Sequence, residues 1–309
     1  MYRSILVPLD GSAFGEHALP LAAGIARRAG ARLRLVHVHD REAEPEMPTF
    51  TPYRFEGLDA LYADRRTAVE EGDYLDRLTA RLQEGSSLDL SATVLGGKLA
   101  GALEHFIRGS DGDLLVMTTH GRGPLGRLWL GSVADTLVRR AGKPVLLVRA
   151  QEAAAEEDVT APEPRVERIL VTLDGSPLAE QVLPYACELA SLLGASVVLF
   201  TAVTPGMVAE GAFGVRPAAG PQEALKGAND YLERAASALC CGLDAAIEVA
   251  VAAGDRAHTI LEAVDRSQAG IVALATHGRG GLSRLVAGNT AEKVVRGTHV
   301  PVLLVRPTH

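Results

Sequence analysis

One glycine-rich stretch of the sequence carries residue types that could bind a phosphate group. Within residues 119–149, Gly121 and Gly131 frame nine residues, and Ser132 then begins a segment with helical spacing. A loop that ends on Gly-Ser at a helix start can turn backbone N–H groups toward an anion. The spacing therefore predicts a phosphate cradle between Gly121 and Ser132.

The same stretch recurs at residues 276–306, with no gap in the correspondence. A repeat of about half the chain length indicates two similar domains. The second cradle keeps both framing glycines but replaces the serine that follows them. Its residues are Gly278, Gly288, Asn289 and Thr290.

The elements that must position the cradle alternate between apolar strand-length runs and helical patterns. Ser12 is a natural N-cap for the first helix. The alternation predicts an α/β fold of two tandem, doubly wound, Rossmann-like domains, each a five-stranded parallel sheet flanked by helices. In the first repeat we predict strands at residues 4–9, 31–38, 91–95, 113–118 and 144–149, and helices at 14–28, 61–83, 99–107 and 132–141.

An acidic, alanine-rich segment with two prolines, residues 151–165, has the composition of a linker. We therefore place domain 1 at residues 1–150 and domain 2 at residues 166–309. Residues 39–59 and 203–220 are irregular in pattern and are interpreted as surface insertions.

The candidate residues lie at the ends of predicted strands. Asp10 follows the first strand, Val38 ends the second, and the turn after Thr118 follows the fourth. In doubly wound sheets, ligands bind beyond the carboxyl ends of the strands, where the strand order reverses. We therefore expect these three positions to converge on one crevice.

The composition restricts the class of protein. Of 309 residues, 47% are hydrophobic and 22% are charged, which is typical of a globular protein. The net charge of −7 argues against a general nucleic-acid or anionic-membrane binder. A cytoplasmic location is favoured by three observations. The three cysteines lack metal-ligand spacing, the sequence opens directly with a predicted strand, and it has no long apolar run.

The opening ILVPLDGS, the THGRG turn, the Gly-x9-Gly-Ser spacing and the closing PVLLVR together resemble the universal stress protein family in its tandem form. Some members of that family hold ATP, and others lack the cradle and bind no nucleotide. The resemblance implies that ATP, with or without Mg²⁺, is held by strand ends and cradle. The implied residues are Pro8, Leu9, Asp10, Val38, Met117, Thr118, Gly121, Arg122, Gly131, Ser132 and Val133 in the first repeat, and Asp174, Ala202, Gly278, Arg279, Gly288, Asn289 and Thr290 in the second.

The sequence departs from the Gly-x2-Gly-x9-Gly-Ser/Thr pattern of the ATP-binding members. Thr118 and Ala275 stand at the first glycine position of the two repeats, and Asn289 replaces the cradle serine of the second. A missing glycine matters where backbone must approach phosphate or ribose without a Cβ in the way. We expect weaker binding rather than its loss, with the first repeat as the better site.

Several candidate residues also have a structural interpretation. The acidic residues at the strand ends either contact the nucleoside, as the resemblance implies, or stabilise a tight turn and a helix start. The histidines beside the cradle are more typical of turn-stabilising residues than of a general base. The cradle arginines could reach phosphates, although exposed arginine is common in loops. These pairs are Asp10 and Asp174, His120 and His277, and Arg122 and Arg279.

The leading hypothesis is an ATP-binding sensor or regulator of the stress response, with at most slow ATP hydrolysis, because no convincing general base and no Walker A motif are found. A second hypothesis is a nucleotide-free docking module of the same fold, which Thr118 and Ala275 favour. A third hypothesis is a nucleotidyl-transfer enzyme. The sequence argues against it, because no SGG-type phosphate loop follows the first strand. The protein partner and further homodimer formation stay open.

The closing strands of the two repeats, residues 144–149 and 301–306, are short and apolar. An unpaired apolar edge invites pairing with another strand, and two copies in one chain can satisfy each other. We therefore predict that these strands pair internally, with Leu147 and Leu304 in the contact.

Overall fold

A computed structural model describes residues 2–39, 56–84, 87–119, 131–149, 164–205, 213, 220–239, 245–276 and 290–307, with the backbone alone described for residues 56–68. The chain divides into two compact units. The first unit contains residues 2–142. The second unit contains residues 143–149 and 164–309.

The first repeat consists of strands that alternate with helices, as its periodicity predicts. Its strands are β1 Ser4–Leu9, β2 Arg32–His39, β3 Leu90–Gly96, β4 Leu114–Thr118 and β5 Val145–Val148. Its helices are α1 Ala13–Glu16, α2 Leu19–Ala29, α3 Glu56–Gln83, α4 Leu99–Gly109 and α5 Ser132–Arg140.

The second repeat follows the same order of elements. Its strands are β6 Arg168–Thr172, β7 Ser196–Val203, β8 Ile247–Ala253, β9 Ile271–Ala275 and β10 Val302–Val305. Among the described residues, its helices are α6 Pro177–Glu180, α7 Leu183–Leu193, α8 Pro221–Leu239, α9 Arg256–Ser267 and α10 Thr290–Gly297.

The first unit contains a parallel sheet with the strand order β3-β2-β1-β4. The central strand β1 is apolar on both faces, and Ile5 and Val7 are fully buried. Helix α2 packs on β1 and β2, and it ends at Gly30, whose φ of +59° suits the left-handed cap of a helix. Because the order reverses between β1 and β4, the carboxyl ends of β1, β2 and β4 share one edge.

The second unit contains the order β5-β10-β9-β6-β7-β8. Its five strands from the second repeat are parallel to one another. The closing strand of the first repeat, β5, pairs antiparallel with β10, with Leu147 opposite Val302 and Val145 opposite Leu304. The predicted pairing of the two closing strands is therefore confirmed, and the mostly parallel α/β fold is as expected.

The predicted helix at residues 14–28 is wrong in one respect, because α1 ends at Glu16 and α2 begins at Leu19. Pro20 stands in the first turn of α2. In a continuous helix its ring would clash with the carbonyl of residue 16 and remove a hydrogen bond, so the helix breaks before it. The second repeat breaks at the same place, before Pro184.

Two other boundaries need correction. The predicted insertion at residues 39–59 ends too late, because α3 already begins at Glu56; residues 40–55 lie outside the described part. Strand β7 extends to Val203, the first residue of the second predicted insertion. Among the described helices, none is long and apolar enough to cross a membrane.

Candidate functional site

The turn after β1 is built around the carboxylate of Asp10. Its Oδ1 accepts hydrogen bonds from the backbone N–H of Ser12, at 3.0 Å, and from the Ser12 hydroxyl. The Ser12 oxygen in turn accepts from the N–H of Gly15, at 3.1 Å, and caps α1 as predicted. The same set recurs in the second repeat, where Ser176 donates to Asp174. The turn-stabilising role is therefore present at both acidic residues.

Gly15 allows the first turn of α1 to approach the Asp10 carboxylate closely. A Cβ at Gly15 would lie 2.7 Å from Asp10 Oδ1, which is too close for any side chain. The second repeat has Ala179 at the matching position, as the donor to Ser176. The hydrogen bonds that build the turn have the same lengths in both repeats, so the turn itself forms with either glycine or alanine at this position.

A cavity of about 540 Å³ opens beside this turn, at the carboxyl ends of β1 and β2. Three of the predicted site residues, Leu9, Asp10 and Val38, line it. The predicted convergence of Asp10 and Val38 is therefore found. The remaining wall comes from β2, α3 and the start of α4, through Gly11, His37, His39, Glu70, Glu71, Tyr74, Arg77 and Leu99.

Two histidines and a glutamate form a cluster in the cavity wall, the His37–Glu71–His39 cluster. The Nδ1 atom of His37 lies 2.9 Å from the Leu9 carbonyl oxygen, and its Nε2 lies 3.3 Å from Glu71 Oε1. The second carboxylate oxygen lies 2.8 Å from His39 Nδ1. All three side chains are at least four-fifths buried.

The two ring nitrogens of His37 both face oxygen atoms. Because a carbonyl oxygen accepts only, the contact with Leu9 assigns a proton to Nδ1. The other nitrogen, Nε2, faces the Glu71 carboxylate.

This cluster is not among the site residues predicted from the sequence. The pattern His-Val-His at residues 37–39 places two imidazoles on one face of β2, and Glu70, Glu71, Tyr74 and Arg77 follow helical spacing on α3. Both signals are readable from the sequence. Their meeting depends on the rotation of α3 against β2, which the sequence pattern does not give.

The cradle is described at its two ends. The N–H of Gly131 donates to the carbonyl of Thr119 at 3.0 Å, which holds the ends of the intervening segment together. Gly131 is the N-cap residue of α5, and the exposed Ser132 is its first residue. The Thr136 hydroxyl bonds back to the Ser132 carbonyl at 2.8 Å. A helix does start at the cradle serine, as predicted.

The other predicted residues are distributed as follows. Pro8, Met117, Thr118, Ser132 and Val133 do not line the cavity, although the first three lie at or next to the carboxyl ends of β1 and β4. In the second repeat, Ala202 is buried in β7 and Thr290 begins α10. Outside the described residues lie Gly121, Arg122, Gly278, Arg279, Gly288, Asn289, His120 and His277.

The matching crevice of the second repeat has an apolar wall. Thr201 replaces His37 and donates its hydroxyl to the Leu173 carbonyl at 2.9 Å. Val203 and Ala228, the counterparts of His39 and Glu71, are buried together with Ala224. Phe213 packs against this group. The two repeats thus share a scaffold but differ in the chemistry of the crevice.

Neither a reactive thiol nor a metal site is found among the described residues. Burial raises the pKa of the Cys187 thiol to about 11, so it stays protonated near neutral pH, as a structural cysteine would. Among the side chains that the structure describes, no group of three or more His, Cys, Asp or Glu is arranged to hold a metal ion.

Comparisons with known proteins agree with this architecture. The model of the universal stress protein family matches residues 1–149 and again residues 165–306. A universal stress protein of Mycolicibacterium smegmatis is 27% identical over 98% of this chain and 97% of its own length. One from Mycobacterium tuberculosis is 30% identical over 64% of this chain, and the match spans 63% of that relative.

Solved structures show the same fold over the whole chain. A universal stress protein from Archaeoglobus fulgidus superposes with a TM-score of 0.70 at 15% identity, covering 98% of both chains. A putative universal stress protein from Pseudomonas aeruginosa gives a TM-score of 0.65 at 20% identity, covering 99% of this chain and 94% of the other. With both repeats matched by the family model, this chain belongs to the universal stress protein family, in its tandem two-domain form.

Proposed function

We propose that this chain is an ATP-binding regulator of the stress response, and that the first repeat holds the nucleotide. The cavity beside Asp10 carries this proposal. Its volume of about 540 Å³ lies within the range of roughly 300–1,000 Å³ typical of small-molecule sites. It also lies at the strand ends where doubly wound sheets bind their ligands.

The walls of the cavity suit a base and a sugar. Leu9, Val38 and Leu99 offer apolar surface for a planar ring. Asp10 offers carboxylate oxygens that a ribose hydroxyl can bond, beside the turn that already engages Oδ1. The imidazole and carboxylate edges of the His37–Glu71–His39 cluster add polar groups that can orient a ligand.

Gly131 supports a phosphate site at the cradle. Its φ of −59° and ψ of 152° are open to any residue, and a Cβ there would lie 3.7 Å from the Thr119 carbonyl, an ordinary contact. Among the residues that the structure describes, nothing therefore requires glycine at this position. A phosphate group approaching the backbone at the start of α5 does need it, because a side chain would occupy that space.

We propose that any ATP hydrolysis is slow, and the contacts of the cavity histidine support this. Both nitrogens of His37 are engaged, one by the Leu9 carbonyl and one by Glu71. A general base needs a nitrogen within reach of the proton that it removes. We therefore assign His37 to orientation of the ligand rather than to proton transfer. The proposal covers ATP bound with or without Mg²⁺.

The second candidate function is a nucleotide-free docking module. Thr118 favours it, because this residue brings a side chain to a position where the ATP-binding pattern has glycine, and it lies buried at the end of β4. Mass spectrometry of small molecules released from freshly purified, denatured protein separates the two candidates. The proposed function predicts an adenine nucleotide in the extract, and the docking module predicts none.

Titration calorimetry with ATP on the full chain tests the site. Replacement of Gly131 by valine should abolish the binding seen for the wild type, whereas Gly288→Val in the second repeat should leave it nearly unchanged. Unchanged affinity in the Gly131→Val protein would refute the assignment. The full chain is required, because β5 belongs to the second compact unit and would be lost from it if the repeats were expressed separately.

A further inference from the structure

The crevice of the second repeat is not open, because the ring of Phe213 lies in it. A Cβ at Gly175 would come within 2.7 Å of Phe213 Cε1 and 2.8 Å of Cδ1. The centroid of the ring lies 5.5 Å from that of Tyr231, at an angle of 41°. The ring also packs against the buried group of Val203, Ala224 and Ala228.

The residues around this ring correspond to residues that line the open cavity of the first repeat. Gly175 follows Asp174 as Gly11 follows Asp10. Tyr231 and Tyr74 occupy the same place, since each donates its hydroxyl to a glutamate after the first strand, Glu180 at 2.8 Å and Glu16 at 3.0 Å. The remaining counterparts are Val203 for His39 and Ala228 for Glu71. Phe213 therefore fills in the second repeat the volume that the described residues of the first repeat leave open.

The backbone of Phe213 is held in an unfavourable conformation. Its φ is +59°, which is uncommon for a residue with a bulky side chain. Such strain persists only where surrounding contacts hold it. Here the ring contacts with Gly175 and Tyr231 supply the holding interactions, and Gly175 itself leaves no room for a side chain.

We propose that Phe213 is an internal occupant of the second crevice, standing where a ligand ring would lie. The described part of the chain then has an open ligand site in the first repeat and, in the second, a matching site closed by its own side chain. Without the ring, the second crevice becomes a pocket with an apolar wall, at Val203 and Ala228, which suits a flat, apolar aromatic compound. The expectation of one nucleotide per chain rests on the proposed function, whereas the assignment of the Phe213 ring does not.

Indole is a suitable probe, because it is flat, aromatic and largely apolar. Calorimetry should show that Phe213→Ala binds indole at one site per chain more than the wild type does, with an affinity at that site at least about ten-fold higher than the wild type shows there. Leu225→Ala is the matched control, since Leu225 packs against the same buried group but leaves the ring in place; it should behave as the wild type does. Phe213→Leu retains part of the side-chain volume and should give an intermediate affinity.

The outcomes distinguish the two proposals. Equal indole binding by the wild type, Phe213→Leu and Leu225→Ala would overturn the assignment of Phe213, even if Phe213→Ala failed to fold. Tighter indole binding by the Phe213 variants supports it whether or not ATP binds. Titration of the wild type with ATP should give one site per chain. Two equal sites would overturn the occupant, and no ATP binding would refute the proposed function alone.

Discussion

Replacing Leu304 by lysine should separate the antiparallel pair of β5 and β10. Leu304 is 4% exposed and lies opposite Val145, in a contact of three residue pairs. Truncation of a buried leucine costs about 2–5 kcal/mol. Lysine must in addition place an ammonium group in apolar surroundings or displace its neighbours to reach water. The loss is therefore large beside the roughly 5–15 kcal/mol that stabilises a typical domain.

Hydrogen exchange of the β5 amides is the most suitable assay, because pairing with β10 protects those of its N–H groups that point toward β10. We expect faster exchange of amides within Val145–Val148 in the Leu304→Lys protein and faster proteolysis in the linker at residues 151–165. Leu304→Met is the control, since a swap of similar volume costs less than about 1.5 kcal/mol. Arg149→Ala is a second test of the pairing of β5 with β10, because Arg149 follows β5 and donates to the carbonyl oxygens of Arg296 and Thr298 at 3.3 and 3.0 Å. Unchanged exchange and unchanged proteolysis in Leu304→Lys would refute the role of this contact.

Two further predictions concern the capping turns and the buried thiol. Ser12→Ala and Ser176→Ala should each lower the free energy of unfolding by about 1 kcal/mol, because each removes the oxygen that caps the following helix. Chemical denaturation measures this free energy, and an unchanged denaturation midpoint for both variants would contradict the prediction. Cys187 should resist thiol reagents in the native protein at pH 8, because a pKa of about 11 leaves only about one thiol in a thousand ionised. Reactivity should rise with pH toward that value, and the labelling is read in a Cys240→Ser, Cys241→Ser background. Rapid native labelling at pH 8 would show that the thiol is not buried as described.

Much of the fold could be predicted from the sequence because its signals are local. The apolar runs, the Asp-Gly-Ser turns and the repeated spacing each determine structure over a few residues. The break before Pro20 was equally local, since proline cannot stand inside a continuous helix, and the helical periodicity of residues 14–28 concealed it. The convergence of Asp10 and Val38 followed from strand order alone.

The chemistry of the crevices could not be predicted in the same way. Glu71 reaches His37 and His39 because of how α3 is rotated on the sheet, and that rotation is a property of packing. Phe213 lies in a segment without periodicity, so no pattern connects it to Gly175. The two repeats differ most at these positions, although their backbone elements follow one order.

Photo-crosslinking with 8-azido-ATP, followed by mapping of the labelled peptides, would locate the bound nucleotide. We expect unlabelled ATP to compete with the label, and the label to fall on peptides of the first repeat that line the cavity, such as those containing Val38 or Tyr74. Labelling confined to the second repeat, or labelling that ATP does not displace, would refute the assignment of ATP to the first repeat.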